Sequence, residues 1–314
     1  MKADTQQCRV GSMIILEKLT GYCETGTVSW MEKETFFLYK CQFNYTRLGG
    51  FVFSHRLLLV VTTACFALSV LAQDISTGQW IDLTHAFNER SVYWPTAKTF
   101  KKTEVFHGHT SGGWFYSAYN FAAAEHGGTH IDAPIHFAEG ANTTDKVPIS
   151  QLIGQGVVID VSRQAAANLD YLVSAADIKT FEASHGQIPA GAIVLLNTGR
   201  AKLYPDRKAY MGTAERGPKA VLKLHFPGLG VDAAEVLIAR GISAVGIDTP
   251  SIDYGQSKNF ATHVLLMKHN IPAFENVADM RALPPTGSTI FALPMKIEGG
   301  SGGPLRIVAH LPNK

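Results

Sequence analysis

Three of the twelve histidines of the chain lie within eleven residues, in the segment HGGTHIDAPIH at residues 126–136. Neutral imidazole is a common ligand of zinc and related divalent metals, and a carboxylate offsets the charge of the cation. His130 and Asp132 are two residues apart, so their side chains project to the same side of an extended segment. The spacing therefore predicts a metal site. The alternative, a histidine-rich surface loop, is disfavoured because the segment contains no lysine or arginine.

Glycine and proline residues decide which other histidines of this segment can join the site. Gly127 and Gly128 permit a tight backbone path that could bring His126 to the same ion. Pro134 stiffens the chain on the way to His136. We therefore treat both of these histidines as candidate site residues as well.

The fixed positions of the segment, HxGTHxDxPxH, resemble the signature of the cyclase-like metal-dependent hydrolase family. That family includes bacterial kynurenine formamidases and isatin hydrolases. The resemblance covers about residues 80–310 and includes the later segments GIDTPSID (246–253) and ALPMKI (292–297). It implies two further ligands: a histidine, and a glutamate twelve residues after that histidine. By resemblance, the metal ligands are then His126, His130, Asp132, His263 and Glu275, and the catalytic acid and base is His136.

Two carboxylates among five candidate ligands exceed what one tetrahedral ion needs. Asp132 and Glu275 are the natural bridges if two ions lie roughly 3.5 to 4 Å apart. One or two zinc ions fit such ligands, and manganese fits them as well. Because such a centre generates hydroxide near neutral pH and polarises a carbonyl oxygen, it predicts hydrolysis. His136 would give a proton to the departing amine, or alternatively it orients a metal ligand.

Aromatic side chains precede the metal motif, in Tyr93-Trp94 and in residues 114–116. Core packing is their ordinary role. Their place just before the motif also suggests walls for a flat aromatic substrate, which suits the anilides and lactams of the related enzymes. The candidate substrate-binding residues are Trp94, Trp114 and Phe115.

The resemblance implies a hydrolase that cleaves a C–N amide bond in an arylformamide or a lactam, such as N-formylkynurenine or isatin. The expected partner is a small aromatic molecule, and the resemblance also implies a homo-oligomer. Two alternatives within the family stay open: a polyketide-type cyclase or dehydratase, and a lactone or ester hydrolase. A third alternative, of another class, is a non-catalytic metal-binding protein.

The elements that must position these residues alternate between strands and helices. A strand is expected to begin at residues 81–83, and short apolar runs typical of buried strands occur at residues 156–161, 192–196 and 244–248. Helices are expected from Ser174, paired with Asp177 as a capping box, to a stop at Gly186, and from Asp232 to Arg240. Two closing strands, at 289–293 and 305–310, flank a flexible turn of glycines at 299–303.

The sequence thus predicts a single α/β domain with a mixed sheet, and the resemblance implies a swivelling β/β/α-type core. The arginine-bearing segment from Arg200 to Arg216 is expected to be a solvated loop, or alternatively a lid over the pocket. No segment rich in proline or serine divides the chain after residue 79.

Composition excludes several other classes of protein. With 46% hydrophobic and 17% charged residues, the chain of 314 residues is globular. Its 28 basic and 26 acidic residues leave a net charge of +2, without a basic block, so nucleic-acid binding is not expected. All four cysteines occur in the first 65 residues, which excludes a disulfide framework or a thiolate metal site from the main body.

The fifteen residues from Leu57 to Leu71 carry no charge and follow Arg56. A membrane-spanning helix needs about 20 apolar residues, whereas this length fits the core of an export signal. We predict cleavage after Ala72, and hence a secreted or periplasmic protein without a stable membrane anchor. The alternative is a buried helix or an anchor. The expected order is an unassigned extension (1–54), a signal peptide (55–72) and the hydrolase domain (73–314).

Overall fold

A computed structural model gives the fold of the protein and describes residues 75–313. The proposed extension and signal peptide lie outside these residues. The described residues belong to one compact unit, Val70–Lys314. Their strands are β1 (Gln79–Asp82), β2 (Lys101–His109), β3 (Phe115–Ala122), β4 (His130–Asp132), β5 (Ile153–Asp160), β6 (Leu172–Val173), β7 (Ile193–Asn197), β8 (Gly228–Leu229), β9 (Ala244–Ile247), β10 (Ala273–Glu275), β11 (Thr286–Pro294) and β12 (Gly302–Leu311).

Helices are few and mostly short. They are α1 (Ile149–Leu152), α2 (Ser162–Ala167), α3 (Ala175–His185), α4 (Arg207–Met211), α5 (Pro218–Val221), α6 (Val231–Ala239) and α7 (Ala261–Lys268), with 3₁₀ turns at Pro134–His136 and Ala201–Leu203. None of the helices between residues 75 and 313 has the length and apolar character needed to cross a membrane.

Eight strands form one mixed sheet in the order β1-β12-β11-β5-β7-β9-β10-β4. The neighbours β5, β7, β9 and β10 run parallel, whereas β11, β12, β1 and β4 pair antiparallel. β4 also pairs with the first three residues of β12, so the sheet closes on itself as a barrel-like core. The predicted α/β domain with a mixed sheet is confirmed.

Both faces of the central strands are buried. Val157, Leu196 and Ile247 pack into a core that α3, α6 and α7 cover. Their sequence neighbours point the other way, because successive strand residues alternate in direction. Val158 and Leu195 accordingly join a second core, to which every strand of the closed ring contributes, in the interior of the sheet. This double burial explains why the central strands are continuously apolar in sequence.

The predicted first helix is present as α3, and it begins with the predicted capping box. The Ser174 side chain accepts a hydrogen bond from the Asp177 backbone, and the Asp177 carboxylate accepts one from the Ser174 backbone. Gly186 follows the last turn with φ of 85°. The second predicted helix is α6, which begins one residue earlier and ends one residue earlier than expected.

Two expectations about loops need correction. The turn between the closing strands is shorter than the predicted segment 299–303, because Gly302 and Gly303 already belong to β12 and pair with β4. The segment from Arg200 to Arg216 is not a solvated loop. Arg200 is only 6% exposed, and its guanidinium donates to the carbonyls of Ala209 and Tyr210 at 2.8 and 2.6 Å.

Candidate metal centre

The candidate ligands converge where β4 lies between β10 and β12. In the antiparallel register of β4 and β10, His130 lies opposite Glu275, and Asp132 lies opposite Ala273. His263 comes from the first turn of α7. The closed sheet therefore places two residues of the histidine motif beside two residues that are more than 130 positions later in the chain.

The glycines of the motif let the loop before β4 turn into the site. Gly128 has a φ of +58°, in the left-handed region that glycine adopts without strain. A Cβ atom on Gly127 would lie 2.1 Å from Cδ1 of Tyr93, so the backbone passes against this ring. The path brings His126 back onto Asp132, with 2.6 Å between Nδ1 and Oδ1.

Asp132 lies at the centre of the cluster and is 1% exposed. Its Oδ1 lies 3.1 Å from Nε2 of His130, and its Oδ2 lies 3.1 Å from Nε2 of His263. Glu275 connects the same two histidines, at 3.5 Å from His130 and 3.2 Å from His263. Two groups of three potential ligands result, and they share Asp132: His126, His130 and Asp132; and Asp132, His263 and Glu275.

Hydrogen bonds outside the cluster fix two of the imidazole rings. His130 Nδ1 lies 2.9 Å from the carbonyl oxygen of Gly128, so Nδ1 carries the proton and Nε2 faces the carboxylates. His263 Nδ1 lies 2.6 Å from Oδ2 of Asp253, so here too Nδ1 carries the proton and Nε2 faces the carboxylates. Such outer contacts are typical of metal-bound histidine, because they set the tautomer and the ring orientation.

The buried charges shift one another's pKa in opposite directions. Burial opposes ionisation of Asp132, but the neighbouring His126 and His130 outweigh it and hold its pKa well below the usual value. Burial, together with the charge of Asp132, raises the pKa of Glu275. Burial also opposes a charge on His130, but Asp132 and Glu275 outweigh it and raise its pKa to about 9. The cluster thus favours positive charge between its two carboxylates.

The residues fit a divalent cation. Nε2 of His130 is buried and makes no hydrogen bond, although it lies among carboxylate oxygens. A buried polar atom without a hydrogen bond is costly unless another partner satisfies it. The donor set of imidazole nitrogens and carboxylate oxygens suits zinc and also manganese.

A cavity of about 310 Å³ opens over the cluster. Its apolar walls include Val92, Tyr93, Trp94, Phe137, Pro250 and Phe260. His136 lines it too, with its ring stacked on His126 at 3.8 Å between centroids. Among the described residues that line the cavity, none is lysine or arginine. The site can therefore hold a neutral, flat molecule against the candidate ligands.

The three predicted substrate residues do not lie together. Trp94 lines the cavity, and its ring packs against Phe226 and Phe260. Trp114 and Phe115 lie outside the cavity of their own chain, at the end of the two-stranded sheet β2–β3, and are 65% and 56% exposed. The prediction that these two residues line the pocket of their own chain was wrong, because they belong to a separate two-stranded sheet that does not pair with β4.

The family model "Putative cyclase" matches residues 81–254, more than half of the chain. The chain belongs to the cyclase family. Isatin hydrolase of Roseibium aggregatum is 35% identical over 226 residues, which cover 69% of this chain and 84% of that protein. Kynurenine formamidase of Bacillus cereus is 29% identical, over 74% of this chain and 98% of that protein.

Solved structures show the same fold. An isatin hydrolase bound to the product analogue thioisatinate has a TM-score of 0.68 and 29% sequence identity to this cyclase-family chain. The match covers 83% of this chain and 100% of the other. The family match at residues 81–254 ends before His263 and Glu275, so the structure, by placing them against the motif, adds independent information about these two residues.

Sequence reasoning missed four polar residues around the site of this cyclase-family chain. Asp253 bonds His263, and Asn276 donates to the carbonyl of Gly128 at 2.8 Å. Glu125 and Ser301 lie behind His126. Asp253 stood within the segment GIDTPSID, and Glu125 and Asn276 each adjoin a candidate ligand, so only Ser301 had no signal in the sequence.

The segment after β7 supports the cavity wall that carries Tyr93 and Trp94. Arg207 donates to the carbonyl of Tyr93 at 2.8 Å, and the Gly217 backbone donates to Pro95 at 2.9 Å. The hydroxyl of Tyr204 accepts from the backbone of Val92 at 3.1 Å. The segment thus positions the wall from behind through Arg207, Tyr204 and the Gly217 backbone.

Proposed function

We propose that this cyclase-family protein is a metal-dependent hydrolase that opens the amide C–N bond of a neutral, flat aromatic substrate. The observation that carries the proposal is the apolar, aromatic-walled cavity directly over five ligand-type side chains, four of them buried, with His136 in its wall. The relatives named isatin hydrolase and kynurenine formamidase support a reaction of this class.

The proposed cofactor is one or two zinc ions, with manganese as the alternative. Asp132, which belongs to both ligand groups, would hold the ions together with Glu275 and the three histidines. A divalent cation held there supplies acidification of water and polarisation of a carbonyl oxygen. The protein supplies the dry cavity and the fixed orientation of its imidazoles.

His136 is proposed as the residue that moves protons. Burial, reinforced by the neighbouring histidines, outweighs the charge of Asp132 and lowers the pKa of His136 to about 4. Its imidazole is therefore neutral at neutral pH and can accept a proton from the attacking water. The same imidazole then returns that proton to the departing nitrogen, which becomes an amine.

The lining of the cavity favours an isatin-like lactam over N-formylkynurenine. N-formylkynurenine carries an amino-acid group whose carboxylate needs a cationic partner when it is buried. No lysine or arginine is present among the described residues that line the cavity. A neutral lactam, or a neutral ester or lactone of similar shape, imposes no such demand.

The test is the rate of hydrolysis of isatin and of N-formylkynurenine by the full chain loaded with zinc or manganese. We expect chelator-sensitive ring opening of isatin with a larger kcat/KM than release of kynurenine. Preferred hydrolysis of N-formylkynurenine would refute the substrate assignment. Absence of hydrolysis of both substrates, and of neutral aryl esters, in a folded and metal-loaded sample would refute the hydrolase proposal.

We further propose a homo-oligomer with the β2–β3 hairpin at an interface between copies. The hairpin pairs with no other strand of the described chain and exposes large apolar side chains: Val105, Phe106, Trp114, Phe115, Tyr116, Tyr119 and Phe121. A two-stranded hairpin is marginally stable in water, so packing against a second copy would stabilise it. Light scattering should show a smaller particle when Trp114 and Phe115 are both replaced by serine.

We propose export as well, with cleavage after Ala72. The support is the uncharged run from Leu57 to Leu71, which lies outside the described residues. N-terminal sequencing of the protein recovered outside the cytoplasm should begin at Gln73. A mature protein that retains Leu57 would contradict the proposal.

A further inference from the structure

His126 differs from the other candidate histidine ligands in how its ring is held. Nδ1 faces Oδ1 of Asp132 at 2.6 Å, and Nε2 lies 2.8 Å from Oγ of Ser301. His130 and His263 use Nδ1 for an outer hydrogen bond and turn Nε2 toward the carboxylates. His126 therefore faces the cluster with the opposite ring nitrogen.

The proton on Ser301 determines which nitrogen of His126 is protonated. The Ser301 hydroxyl lies 2.7 Å from Oε2 of Glu125, and the Ser301 backbone N–H donates to the same oxygen at 3.0 Å. A carboxylate only accepts hydrogen bonds, so the single hydroxyl proton goes to Glu125. The Ser301 oxygen then accepts from Nε2–H of His126, which leaves the Nδ1 lone pair directed at the cluster.

We propose that Glu125 and Ser301 are positioning residues that hold His126 as its Nε2–H tautomer, so that Nδ1 is the metal ligand. This inference rests on the proposed metal centre. Outer hydrogen bonds of this kind orient the ring and raise the basicity of the ligating nitrogen. The charge of Glu125 acts through the Ser301 hydroxyl, without contact between Glu125 and the ion.

The backbone around Ser301 is built to keep this hydroxyl in place. The Ser301 carbonyl accepts from the Ala133 backbone at 2.9 Å, and Thr144 donates to the carbonyl of Gly300 at 2.9 Å. A Cβ atom on Gly302 would lie 2.5 Å from Cε1 of His126, so the glycine lets the segment close on the ring. The glycine-rich segment at 299–303 thus supports His126 through Ser301.

The first test is zinc affinity, measured on the full chain by competition with a chromophoric chelator. Ser301→Ala should bind zinc about 10- to 100-fold more weakly than the wild type, which is the usual cost of losing such a contact. Ser301→Thr keeps the hydroxyl and should restore most of the affinity. Glu125→Gln, which preserves size, should give an intermediate loss. Ser184→Ala removes an exposed hydroxyl of α3 and serves as the matched control.

The second test reads the tautomer itself, by ¹⁵N NMR of the histidine rings in the zinc-loaded chain. His126 should carry its proton on Nε2, whereas His130 and His263 should carry theirs on Nδ1. A proton on Nδ1 of His126 would overturn the inference, as would equal zinc affinity of Ser301→Ala and wild type. If the wild type itself fails to bind zinc or manganese, the proposed metal centre fails and the inference with it. If the wild type binds and Ser301→Ala binds equally, only the inference fails.

Discussion

His136 is the residue whose loss should separate turnover from metal binding. It lines the cavity and stacks on His126, yet it belongs to neither group of potential ligands. His136→Gln should lower kcat by about 100-fold or more while the zinc content per chain stays at the wild-type value. Asp132→Asn, which removes the carboxylate shared by both groups, should lose zinc and turnover together. Unchanged turnover by His136→Gln would exclude His136 from proton transfer and favour the alternative in which it only orients a metal ligand.

Trp94 should set the affinity for the aromatic substrate. Its ring lines the cavity and is held by Phe226 and Phe260, so it offers a fixed apolar wall. Trp94→Ala should raise KM about tenfold or more, since a buried aromatic contact contributes at least about 1.4 kcal/mol, whereas Trp94→Phe should stay near the wild type. Leu222→Ala alters a side chain that is 75% exposed and outside the cavity, and should leave KM unchanged. An unchanged KM for Trp94→Ala with every accepted substrate would contradict the assignment.

The candidate ligands could be predicted from the sequence more completely than the residues that hold them. The motif at 126–136 is local, and the family pattern supplied His263 and Glu275. The contact between Ser301 and His126 joins residues 175 positions apart. No local pattern predicts such a contact, because it depends on how β12 pairs with β4.

Among the elements, α3 offers a direct test of a sequence signal. Asp177 Oδ2 accepts from the backbone and the hydroxyl of Ser174 and from the hydroxyl of Tyr171, at 2.7 to 2.8 Å. Ser174→Ala should lower the free energy of unfolding by about 1 kcal/mol, since the N-cap bond to the backbone is lost. Urea unfolding followed by circular dichroism measures the change. Ser184→Ala, in the last turn of the same helix, should stay within about 0.5 kcal/mol of the wild type. Equal effects of the two substitutions would show that the cap contributes nothing specific.

Strands and helices could be predicted from the sequence where they are buried and were missed where they are exposed or very short. The strands β5, β7 and β9 are buried on both faces, so their apolar runs marked them clearly. The hairpin β2–β3 was missed, because nearly all of its residues are exposed and its charged and aromatic residues follow no simple alternation. The three-residue strands β4 and β10 are too short to show a period, although they carry most of the candidate ligands.

At the scale of the whole molecule, closure of the sheet is what the sequence could not reveal. The composition and the order of elements predict a mixed α/β sheet, but they leave its edges undefined. Closure depends on β4, whose residues pair with β10 on one side and with the start of β12 on the other. These partners lie more than 130 positions later in the chain, so the pairing follows from the complete fold rather than from any local segment.

Because the proposed metal lies at this closure, its removal should loosen one part of the molecule selectively. The ligands belong to β4, β10, α7 and the loop before β4, so a cation that binds only the folded chain stabilises their contacts. Chelation should lower Tm by about 5 to 10 °C relative to zinc at about 100 times its Kd. Hydrogen exchange should then accelerate first in β4, in β10 and in residues 299–303. Strand β7 is the control, because it carries no ligand and lies inside the sheet between β5 and β9. Its amides should keep their protection until global unfolding. A uniform loss of protection would show that the metal stabilises the fold as a whole, and an unchanged pattern would show that the closure does not depend on it.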